Sequence, residues 1–359
     1  MYSEIDRKCS TKEEFNKYKH NAERRDDMLV ATIDTGTTNT RVILWQDKNP
    51  ICIKKQEVGV RNTSMEGNNK KLLKAIRQCL EKTLEEIHGK EENLHAILAS
   101  GMIGSELGVC EIPRVTVPVS IEKLAKSCVH KIIPEISEKL EICFIPGVQN
   151  DDTISSLEDC EMMDIMRGEE VETFAILQSM DVKGPVVLIL PGSHTKVVYV
   201  NEENEIVGCL TTMAGEMLME LTRTSIISSS LKSSYVEEIE EDWLLAGAEE
   251  ARKTGLSRTA FLVRLLDLFS ESTVNQRANY LLGAILATDL LALEKSRVCK
   301  LEPNVRFIVG GQNTYSKGMI KLLEQRYEGH IIQKDKYGEA VNMAGYGAIS
   351  IWEHKNALE

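Results

Sequence analysis

The sequence predicts an α/β protein built from two related halves. Segments with strand patterns alternate with segments of helical periodicity along most of the chain, which is typical of α/β folds. A three-stranded meander is predicted twice, over residues 29–60 and over 185–210, and its first turn has the same plan both times. Near the C terminus, residues 337–352 predict a helix rich in glycine and alanine. Because glycine lowers helix stability, we expect this helix to pack closely against another element.

The first meander carries a candidate phosphate site. Its opening strand is apolar and ends at Asp34, the turn contains Gly36, Thr37 and Thr38, and Arg41 leads the returning strand. Backbone N–H groups and hydroxyls of such a turn can bind anionic oxygens, and a guanidinium adds further donors for a phosphate. A carboxylate at the strand end can hold a hydrated Mg²⁺ through its waters. The alternative for this stretch alone is an ordinary hairpin with a polar turn.

The second meander repeats this plan. Its apolar opening strand runs into a turn that contains Gly192, Ser193, His194 and Thr195, and Lys196 begins the returning strand. Two such turns suggest that two half-domains hold a polyphosphate between them. His194 is equally well explained as a cap of its own turn, and Lys196 as a solvated strand residue.

A third glycine turn follows a late strand. Residues 305–309 predict a buried strand that runs into Gly310 and Gly311. Without a Cβ, glycine allows a planar purine to lie directly on the backbone. The chain has no G-x-x-x-x-G-K-[ST] segment, and no G-x-G-x-x-G segment follows its first strand. A P-loop and a dinucleotide-binding Rossmann site are therefore unsupported.

The remaining elements follow the hydrophobic periodicity. Residues 115–119 predict an edge segment, since its proline cannot donate to a strand ladder. The serine-rich residues 228–234 are expected to form an exposed loop. Buried strands are predicted at 94–99 and 142–146. Helices are predicted at 70–88, 171–178, 243–253, 258–269, 274–293 and 316–325.

Composition limits the classes of partner. The 359 residues carry a net charge of −12, which argues against nucleic acid as the main partner, and no apolar run approaches the roughly 20 residues that span a bilayer. The nine cysteines are scattered without a C-x-x-C pair, which favours reduced thiols in a cytoplasmic protein. Residues 1–27 are charged and have no apolar core, so we expect a peripheral extension, with Met28 as an alternative start. The oligomeric state stays open, with a homodimer as one alternative.

Three motifs resemble those of one ATPase superfamily, which includes actin, hexokinase and the heat-shock chaperones. Residues 34–41 resemble its first phosphate motif, residues 191–196 its second, and residues 309–311 its adenosine motif. The glycine- and alanine-rich helix is similar to the second connecting helix of that fold. The resemblance implies a two-lobed, actin-like (ribonuclease H-like) fold in which each lobe is a mixed sheet that starts with a three-stranded meander.

The same resemblance implies a division of the chain. One lobe comprises residues 28–178 plus 338–359 and carries the first phosphate motif and the sugar-acid site. The other lobe comprises residues 179–337 and carries the second phosphate motif and the adenosine motif.

Five segments resemble more narrowly the 2-dehydro-3-deoxygalactonokinase family of sugar-acid kinases. Thr35 stands where that family usually carries Trp, and the loop between Val148 and Met166 is longer and differently composed. The segments are Ala-Ser-Gly-Met-Ile-Gly-Ser (99–105), Phe-Ile-Pro-Gly-Val (144–148), Met-Arg-Gly-Glu-Glu (166–170), Leu-Pro-Gly-Ser-His-Thr-Lys (190–196) and Met-Ala-Gly-Glu (213–216).

This resemblance implies transfer of the γ-phosphate of ATP to a hydroxyl of a small 2-keto-3-deoxy sugar acid. The specific expectation is conversion of 2-dehydro-3-deoxygalactonate to its 6-phosphate. Asp34 would organise Mg²⁺, and Gly310 and Gly311 would form the floor of the adenine site. The residues implied to hold the β- and γ-phosphates are Gly36, Thr37, Thr38, Arg41, Gly192, Ser193, His194 and Thr195.

The acceptor site is assigned from the family-like segments. Ser100, Gly101 and Arg167 are the substrate-binding candidates, with Arg167 facing the carboxylate; an interlobe salt bridge is its alternative role. The pair Gly168-Glu169 resembles the Gly-Asp pair that supplies the base in glycerol kinase and its relatives.

Two carboxylates compete for the role of base. We favour Glu169 over Asp164, whose shorter side chain sits in the loop that departs from the family. In the alternative, Glu169 and Glu170 only cap a helix, a role worth about 0.3–1 kcal/mol.

Two other classes of function stay open. An actin-like ATPase switch would lack a small-molecule acceptor, but no segment resembles a polymerisation surface or a peptide-binding domain. A non-catalytic sensor of sugar acids or nucleotides would keep the cleft without turnover. The intact Asp34, Arg41 and both phosphate turns argue against the sensor.

Overall fold

The structure, a computed structural model, describes residues 28–298, 301, 305–327, 330, 332–334 and 340–357. The predicted N-terminal extension, residues 1–27, lies outside the described residues. The strands are β1 (Leu29–Thr35), β2 (Thr40–Gln46), β3 (Asn49–Gln56), β4 (Ala96–Gly101), β5 (Val115–Thr116), β6 (Val129–Ile133), β7 (Ser137–Phe144), β8 (Val148–Gln149), β9 (Ile165–Met166), β10 (Val186–Leu190), β11 (Thr195–Val200), β12 (Ile206–Thr212), β13 (Arg306–Val309) and β14 (Ile332–Lys334).

The helices connect and cover these strands. None of the helices within the described residues is long and apolar enough to cross a bilayer. They are α1 (Val60–Glu66), α2 (Lys70–Glu86), α3 (Ile121–Lys126), α4 (Glu169–Met180), α5 (Ala214–Arg223), α6 (Ser228–Leu231), α7 (Glu241–Thr254), α8 (Leu256–Phe269), α9 (Val274–Lys295), α10 (Thr314–Arg326) and α11 (Ala340–Asn356).

Two mixed sheets repeat one strand order. The first sheet has the order β3-β2-β1-β4-β7-β6, and the second has the order β12-β11-β10-β13-β14. In both, the opening strand pairs antiparallel with the next strand of its meander and parallel with a strand that comes later in the chain. Ile33 and Ile189 occupy corresponding opening strands of different sheets. The repeat inferred from the two turns is therefore present in the topology.

A small third sheet has the order β5-β8-β9. Strand β5 runs parallel to β8, and β8 runs antiparallel to β9. This sheet leads directly into the start of α4.

Helices fill the space between the sheets and cover their outer faces. Apolar residues of both large sheets form one core with α4 and α11, which places these two helices between the sheets. The opposite face of the first sheet packs on α2, and that of the second sheet packs on α7, α9 and α10. The order of layers is helix, sheet, helix pair, sheet and helix.

The glycine-rich C-terminal helix packs as closely as its composition predicts. A Cβ on Gly345 would lie 2.3 Å from Cζ2 of the buried Trp45, and one on Gly347 would lie 2.2 Å from the carbonyl oxygen of Val171 in α4. The indole Nε1 of Trp45 donates to Thr32 Oγ1 at 2.8 Å, which fixes the ring against the helix.

Three local predictions differ from the structure. The third strand ends at Gln56 rather than near Val60, because Gly59 starts α1 against the first turn; a Cβ there would lie 2.5 Å from the Gly36 carbonyl oxygen. The serine-rich segment contains α6, whose Ser230 carbonyl accepts from the buried Arg277 Nε at 2.9 Å. The strand predicted at 142–146 is the end of a longer strand, β7, that pairs with β6.

Candidate active site

The turn between β1 and β2 presents Asp34 and Arg41 side by side. They pair across the two strands, and Arg41 Nη1 lies 3.2 Å from Asp34 Oδ2. The Asp34 side chain is 32% exposed, so a ligand can reach its other oxygen. Desolvation raises the pKa of the Asp34 carboxyl; Arg41 opposes this rise and the Glu169 carboxylate adds to it.

The backbone of this turn is supported from behind by α1. The amide of Gly36 donates to the Asn39 carbonyl at 2.8 Å, and the amides of Val60 and Arg61 donate to the carbonyl oxygens of Gly36 and Thr37. This support leaves the predicted ligands Thr37 and Thr38 exposed on the open side of the turn.

Two glycines at positive φ bring the start of α4 against Asp34. Gly101 at the end of β4 has φ 79°, and a Cβ there would lie 3.0 Å from Asp34 Oδ1. Gly168 has φ 109°, and a Cβ there would lie 3.4 Å from the Gly101 Cα. Ser100, predicted beside Gly101, pairs with Asp34 in the strand register. The structure thus brings together the predicted metal ligand, both substrate-loop residues and the Gly168-Glu169 pair.

The first turn of α4 carries three carboxyl groups with different surroundings. Glu169 Oε2 accepts from the Arg167 amide at 3.1 Å. Glu170 is fully buried, and both of its oxygens accept from the Gly168 amide. Burial raises the pKa of Glu170 to about 8, and the Glu169 charge adds to the rise. Desolvation and the charges of Glu169 and Asp34 raise the pKa of the half-buried Glu172 well above its usual range.

Asp164, the second candidate base, lies in a different environment. Its Oδ2 accepts from the Thr211 amide and its Oδ1 from the Thr211 hydroxyl, both at 2.6 Å. Lys196 Nζ lies 3.9 Å from Oδ1 and donates to the Ile165 carbonyl oxygen at 2.7 Å. These contacts join the segment before α4 to β11 and β12 of the second sheet.

The Arg167 side chain is bordered on two sides by glycines, which have no side chains of their own. A Cβ on Gly147 would lie 2.5 Å from Arg167 Cγ, and one on Gly104 would lie 3.2 Å from Arg167 Nη1. Its Nη2 donates to the Ile112 carbonyl oxygen, whereas Nε and Nη1 are buried without an acceptor. Among the described residues Arg167 forms no ion pair, so the interlobe salt bridge considered from the sequence is not observed there.

The second turn is exposed at Gly192, Ser193 and His194. His194 Nε2 lies 3.2 Å from Glu216 Oε2, and the Glu216 amide donates to the Ser193 carbonyl oxygen at 2.9 Å. A Cβ on Gly215 would lie 2.0 Å from the Gly192 carbonyl oxygen, so α5 starts directly against the turn.

Thr195, the fourth predicted residue of this turn, supports it from below. Its side chain is buried, and its hydroxyl lies 2.9 Å from the Tyr315 hydroxyl. Tyr315 in turn donates to Asp289 Oδ2 at 2.7 Å. The network connects the turn to α9 and α10.

The glycine turn after β13 lies against the end of β10 and the start of α10. Gly311 has φ 77°, and Gly310 donates from its amide to the Ile189 carbonyl oxygen at 2.8 Å. Ser316 Oγ donates to the Gly310 carbonyl oxygen at 2.7 Å, and Asn313 caps α10 by accepting from the Ser316 amide.

The sequence interpretation missed three residues of this region. Glu172 falls inside the helix predicted at 171–178 without any further signal, and Gly147 falls inside the family-like segment 144–148. Arg114 was not selected because neither periodicity nor a motif marks it. Only the pairing of β5, β8 and β9 shows its relation to Arg167.

The protein has an actin-like ATPase fold of the kind found in sugar kinases. Three features define it: two sheets with the same strand order, helices α4 and α11 between the sheets, and turns at the ends of β1 and β10. The predicted fold class is confirmed. A candidate 2-dehydro-3-deoxygalactonokinase from Sinorhizobium meliloti has a similar structure, with a TM-score of 0.70 and 18% identity over 90% of this chain and 97% of that one.

Two dehydratase proteins are more distant in structure. Component A of (R)-2-hydroxyglutaryl-CoA dehydratase from Acidaminococcus fermentans has a TM-score of 0.47 and 13% identity over 91% of this chain and 99% of that one. The activator of 2-hydroxyisocaproyl-CoA dehydratase from Clostridium difficile, solved with ADPNP, has a TM-score of 0.45 and 10% identity over 92% and 97%. No curated protein matches the sequence.

The chain belongs to the 2-keto-3-deoxy-galactonokinase family, whose model matches residues 34–332. It is accordingly an enzyme, a phosphotransferase with an alcohol group as acceptor. The family and the enzyme class predicted from the motifs are confirmed.

Proposed function

We propose that this kinase transfers the γ-phosphate of ATP to a hydroxyl of a 2-keto-3-deoxy sugar acid, and that 2-dehydro-3-deoxygalactonate is the acceptor, phosphorylated at its 6-hydroxyl. The observation that carries the proposal is the meeting of Asp34, Arg41 and the start of α4 at one place. Asp34 would bind the metal, Arg41 would bind phosphate, and Glu169 at the start of α4 is the candidate base. These three side chains lie close together.

ATP is proposed to bind between the lobe of residues 28–178 plus 338–359 and the lobe of residues 179–337. The first turn supplies Gly36, Thr37, Thr38 and Arg41, and the second supplies Gly192, Ser193 and His194; Thr195 supports the second turn through its buried hydroxyl. Gly310 and Gly311 form the floor under the adenine. Support for this arrangement comes from the exposure of the turns and from their equivalent places in the two sheets.

The residues present fit a hydrated Mg²⁺ better than a closed metal site. The described residues contain no group of three or more His, Cys, Asp or Glu side chains that could hold a metal. Asp34 keeps one oxygen free of Arg41, which suits an ion that retains several waters and is also bound by substrate phosphates. Bound there, Mg²⁺ would neutralise charge that develops on the transferred phosphoryl group.

The acceptor is proposed to lie on the loop of Ser100 and Gly101, next to Glu169. The Arg167 amide holds Glu169 Oε2, so Oε1 is left to accept the proton of the attacking hydroxyl. Arg167 binds the acid group of the acceptor through its side chain.

A coupled ADP-release assay with a panel of 2-keto-3-deoxy acids tests the proposed function. We expect saturable, Mg²⁺-dependent turnover with 2-dehydro-3-deoxygalactonate and a phosphorylated product by mass spectrometry. ADP release that is independent of every acid would favour an ATPase switch, and acid binding without ADP release would favour a sensor.

We also propose that the enzyme works in the cytoplasm. Cys79, Cys110, Cys128, Cys160 and Cys209 are thiols outside any disulfide, and this state is typical of a reducing compartment. The sugar acid and ATP are its proposed small-molecule partners; whether it acts as a homodimer is tested by sedimentation.

A further inference from the structure

We propose that Arg114 and Arg167 together bind the carboxylate of the acceptor acid. The inference rests on the proposed function and extends it, because it assigns the acid end of the substrate to a two-arginine site on the small third sheet.

The register of the small sheet places the two arginines in one row. Val115 pairs with Val148 and Val148 pairs with Met166, so the neighbouring row consists of Arg114, Gly147 and Arg167. The Val115 amide donates to the Gly147 carbonyl oxygen at 2.9 Å, which extends the pairing toward this row. Since adjacent strands lie about 4.8 Å apart, the two arginine backbones are roughly 10 Å apart. Two long side chains can both reach a small anion across that distance.

Gly147 makes room for this arrangement. A side chain there would begin 2.5 Å from Arg167 Cγ and would fill the space above the middle strand. Gly104 does the same on the other side, where a Cβ would lie 3.2 Å from Arg167 Nη1. The guanidinium of Arg167 is thus bordered by backbone, and the Ile112 carbonyl oxygen holds its Nη2.

The guanidinium groups have donors without acceptors. Arg167 Nε and Nη1 and Arg114 Nε are buried without a hydrogen-bond partner. A buried donor with no acceptor is unfavourable, and a charged donor is more so. Groups of this kind in a native structure call for an explanation such as a bound ion. A carboxylate has two oxygens that can each accept from one guanidinium.

Positive charge also exceeds negative charge around Arg167, which favours the binding of an anion. Desolvation lowers the pKa of the Arg167 guanidinium, and the positive charge of Arg114 lowers it further. The carboxyl groups that oppose this effect are Glu170 and Glu111. Glu170 has a pKa of about 8 and is protonated in most molecules at neutral pH, and Glu111 is exposed. Neither arginine forms an ion pair with any described residue.

The position of this site suits the proposed transfer. The Arg167 amide holds the Glu169 carboxylate, and the next residue, Gly168, contacts Gly101 beside Asp34. An acid bound by Arg114 and Arg167 is therefore fixed relative to the proposed base and the proposed metal ligand. Its carboxylate would select acids over neutral sugars.

The test compares Arg114→Gln, Arg167→Gln and a control, Arg77→Gln, which removes a half-buried arginine that pairs with Glu81 on α2. Steady-state kinetics are measured with 2-dehydro-3-deoxygalactonate and with its primary amide. We expect Arg114→Gln to lower kcat/KM for the acid about 10- to 100-fold, the range for losing a charge-assisted hydrogen bond. The loss should be much smaller for the amide, and KM for ATP should stay nearly constant.

Several outcomes would overturn the two-arginine site while the proposed function stands. These are an equal loss for acid and amide, a rise in KM for ATP that matches the rise for the acid, or no change in Arg114→Gln. If thermal unfolding shows that Arg114→Gln is not folded, Arg114→Lys replaces it. We expect Arg114→Lys to fold and to keep only part of the preference for the acid, because lysine keeps the charge but lacks the planar guanidinium fork.

If the unchanged enzyme turns over no acid of the panel, the proposed function fails separately. Calorimetric titration with 2-dehydro-3-deoxygalactonate then tests the site directly. Binding that is lost in both arginine variants and kept in Arg77→Gln supports the site. Binding that is unchanged in the arginine variants, or no binding to the unchanged protein, overturns it.

Discussion

At the scale of single residues, the two candidate bases differ in how their oxygens are used. Both oxygens of Asp164 accept hydrogen bonds from Thr211, and Lys196 lies beside it. Glu169 has one oxygen held by a backbone amide and the other without a partner among the described residues. An oriented carboxylate with one free oxygen suits a base, whereas a carboxylate with both oxygens bound suits a structural connection.

We therefore expect Glu169→Gln to lower kcat by about 10²–10⁴-fold, the contribution of a general base, without lowering the melting temperature. Asp164→Asn should lower the melting temperature, because it weakens the hydrogen bonds to Thr211. The measurements are steady-state kinetics and thermal unfolding of both variants. Normal turnover of Glu169→Gln would show that the base lies elsewhere.

The metal assignment depends on Asp34 alone among the described side chains. Asp34→Asn should lower kcat by orders of magnitude while ATP still binds, because the amide keeps the shape and loses the charge that holds Mg²⁺. Asp242→Asn, at an exposed position of α7, is the matched control. Calorimetry with ATP and a Mg²⁺ titration of kcat separate binding from turnover, and near-normal Mg²⁺-supported turnover would contradict the assignment.

At the scale of elements, the start of α4 holds a buried acid that makes stability depend on pH. Glu170 has a pKa of about 8 in the folded enzyme, well above the value of about 4.3 expected in the unfolded chain. Between these values the unfolded chain has lost the proton and the folded enzyme keeps it. The free energy of unfolding therefore falls as the pH rises from about 5 to 8.

Glu170→Gln should remove this part of the pH dependence, because glutamine stays neutral and still accepts from the Gly168 amide. We expect a flatter plot of unfolding free energy against pH and a higher melting temperature than the unchanged enzyme at pH 8. Glu135→Gln, at an exposed site, is the control. The same slope in Glu170→Gln as in the unchanged enzyme would show that Glu170 does not carry it.

A substitution in helix α11 tests how closely this helix packs against the first sheet. Gly345→Ala would place a Cβ 2.3 Å from Trp45, which must move within a filled core. Overpacking of this kind costs about 1–3 kcal/mol, although alanine favours the helix itself. Ser350→Ala is the control in the same helix, because it removes a buried hydroxyl that has no partner and adds no volume. Denaturant unfolding should show a loss for Gly345→Ala and little change for the control.

These elements also show what a sequence can predict. The meanders could be predicted because apolar strands and glycine turns are local signals, and the small-residue helix because glycine density implies contact. The half-buried α6 depends on a partner far away in the chain, because Arg277 donates to the Ser230 carbonyl oxygen. Arg114 is the clearest case, since its relation to Arg167 exists only once β8 lies between their strands.

At the scale of the whole molecule, residues that follow β5 and β8 of the small sheet bind β12 of the second sheet. Val119 and Ile206 exchange two backbone hydrogen bonds of 2.8 Å, and the Asn150 side chain both donates to and accepts from the Cys209 backbone. Lys196 completes the connection. It directly follows the second turn, which is proposed to bind phosphate, and it donates to the Ile165 carbonyl oxygen, three residues before Gly168.

This position gives Lys196 a role that differs from both roles considered from the sequence. It is 6% exposed, so it is not a solvated strand residue, and its ammonium donates to Ile165 and Thr211. We infer that Lys196 fixes the second phosphate turn relative to Arg167 and Glu169. A displacement of about 1 Å between reacting groups can lower the rate about 10²-fold.

Lys196→Met should therefore lower kcat about 10²-fold and change KM for ATP little, because the turn itself is intact. It should also lower the free energy of unfolding by about 1.5–3 kcal/mol, the value of a hydrogen bond from a charged group. Lys126→Met, at an exposed site, is the control. A large rise in KM for ATP with unchanged kcat would mean that Lys196 binds phosphate directly. Unchanged kcat and unchanged KM would mean that the connection between the sheets does not position the reacting groups.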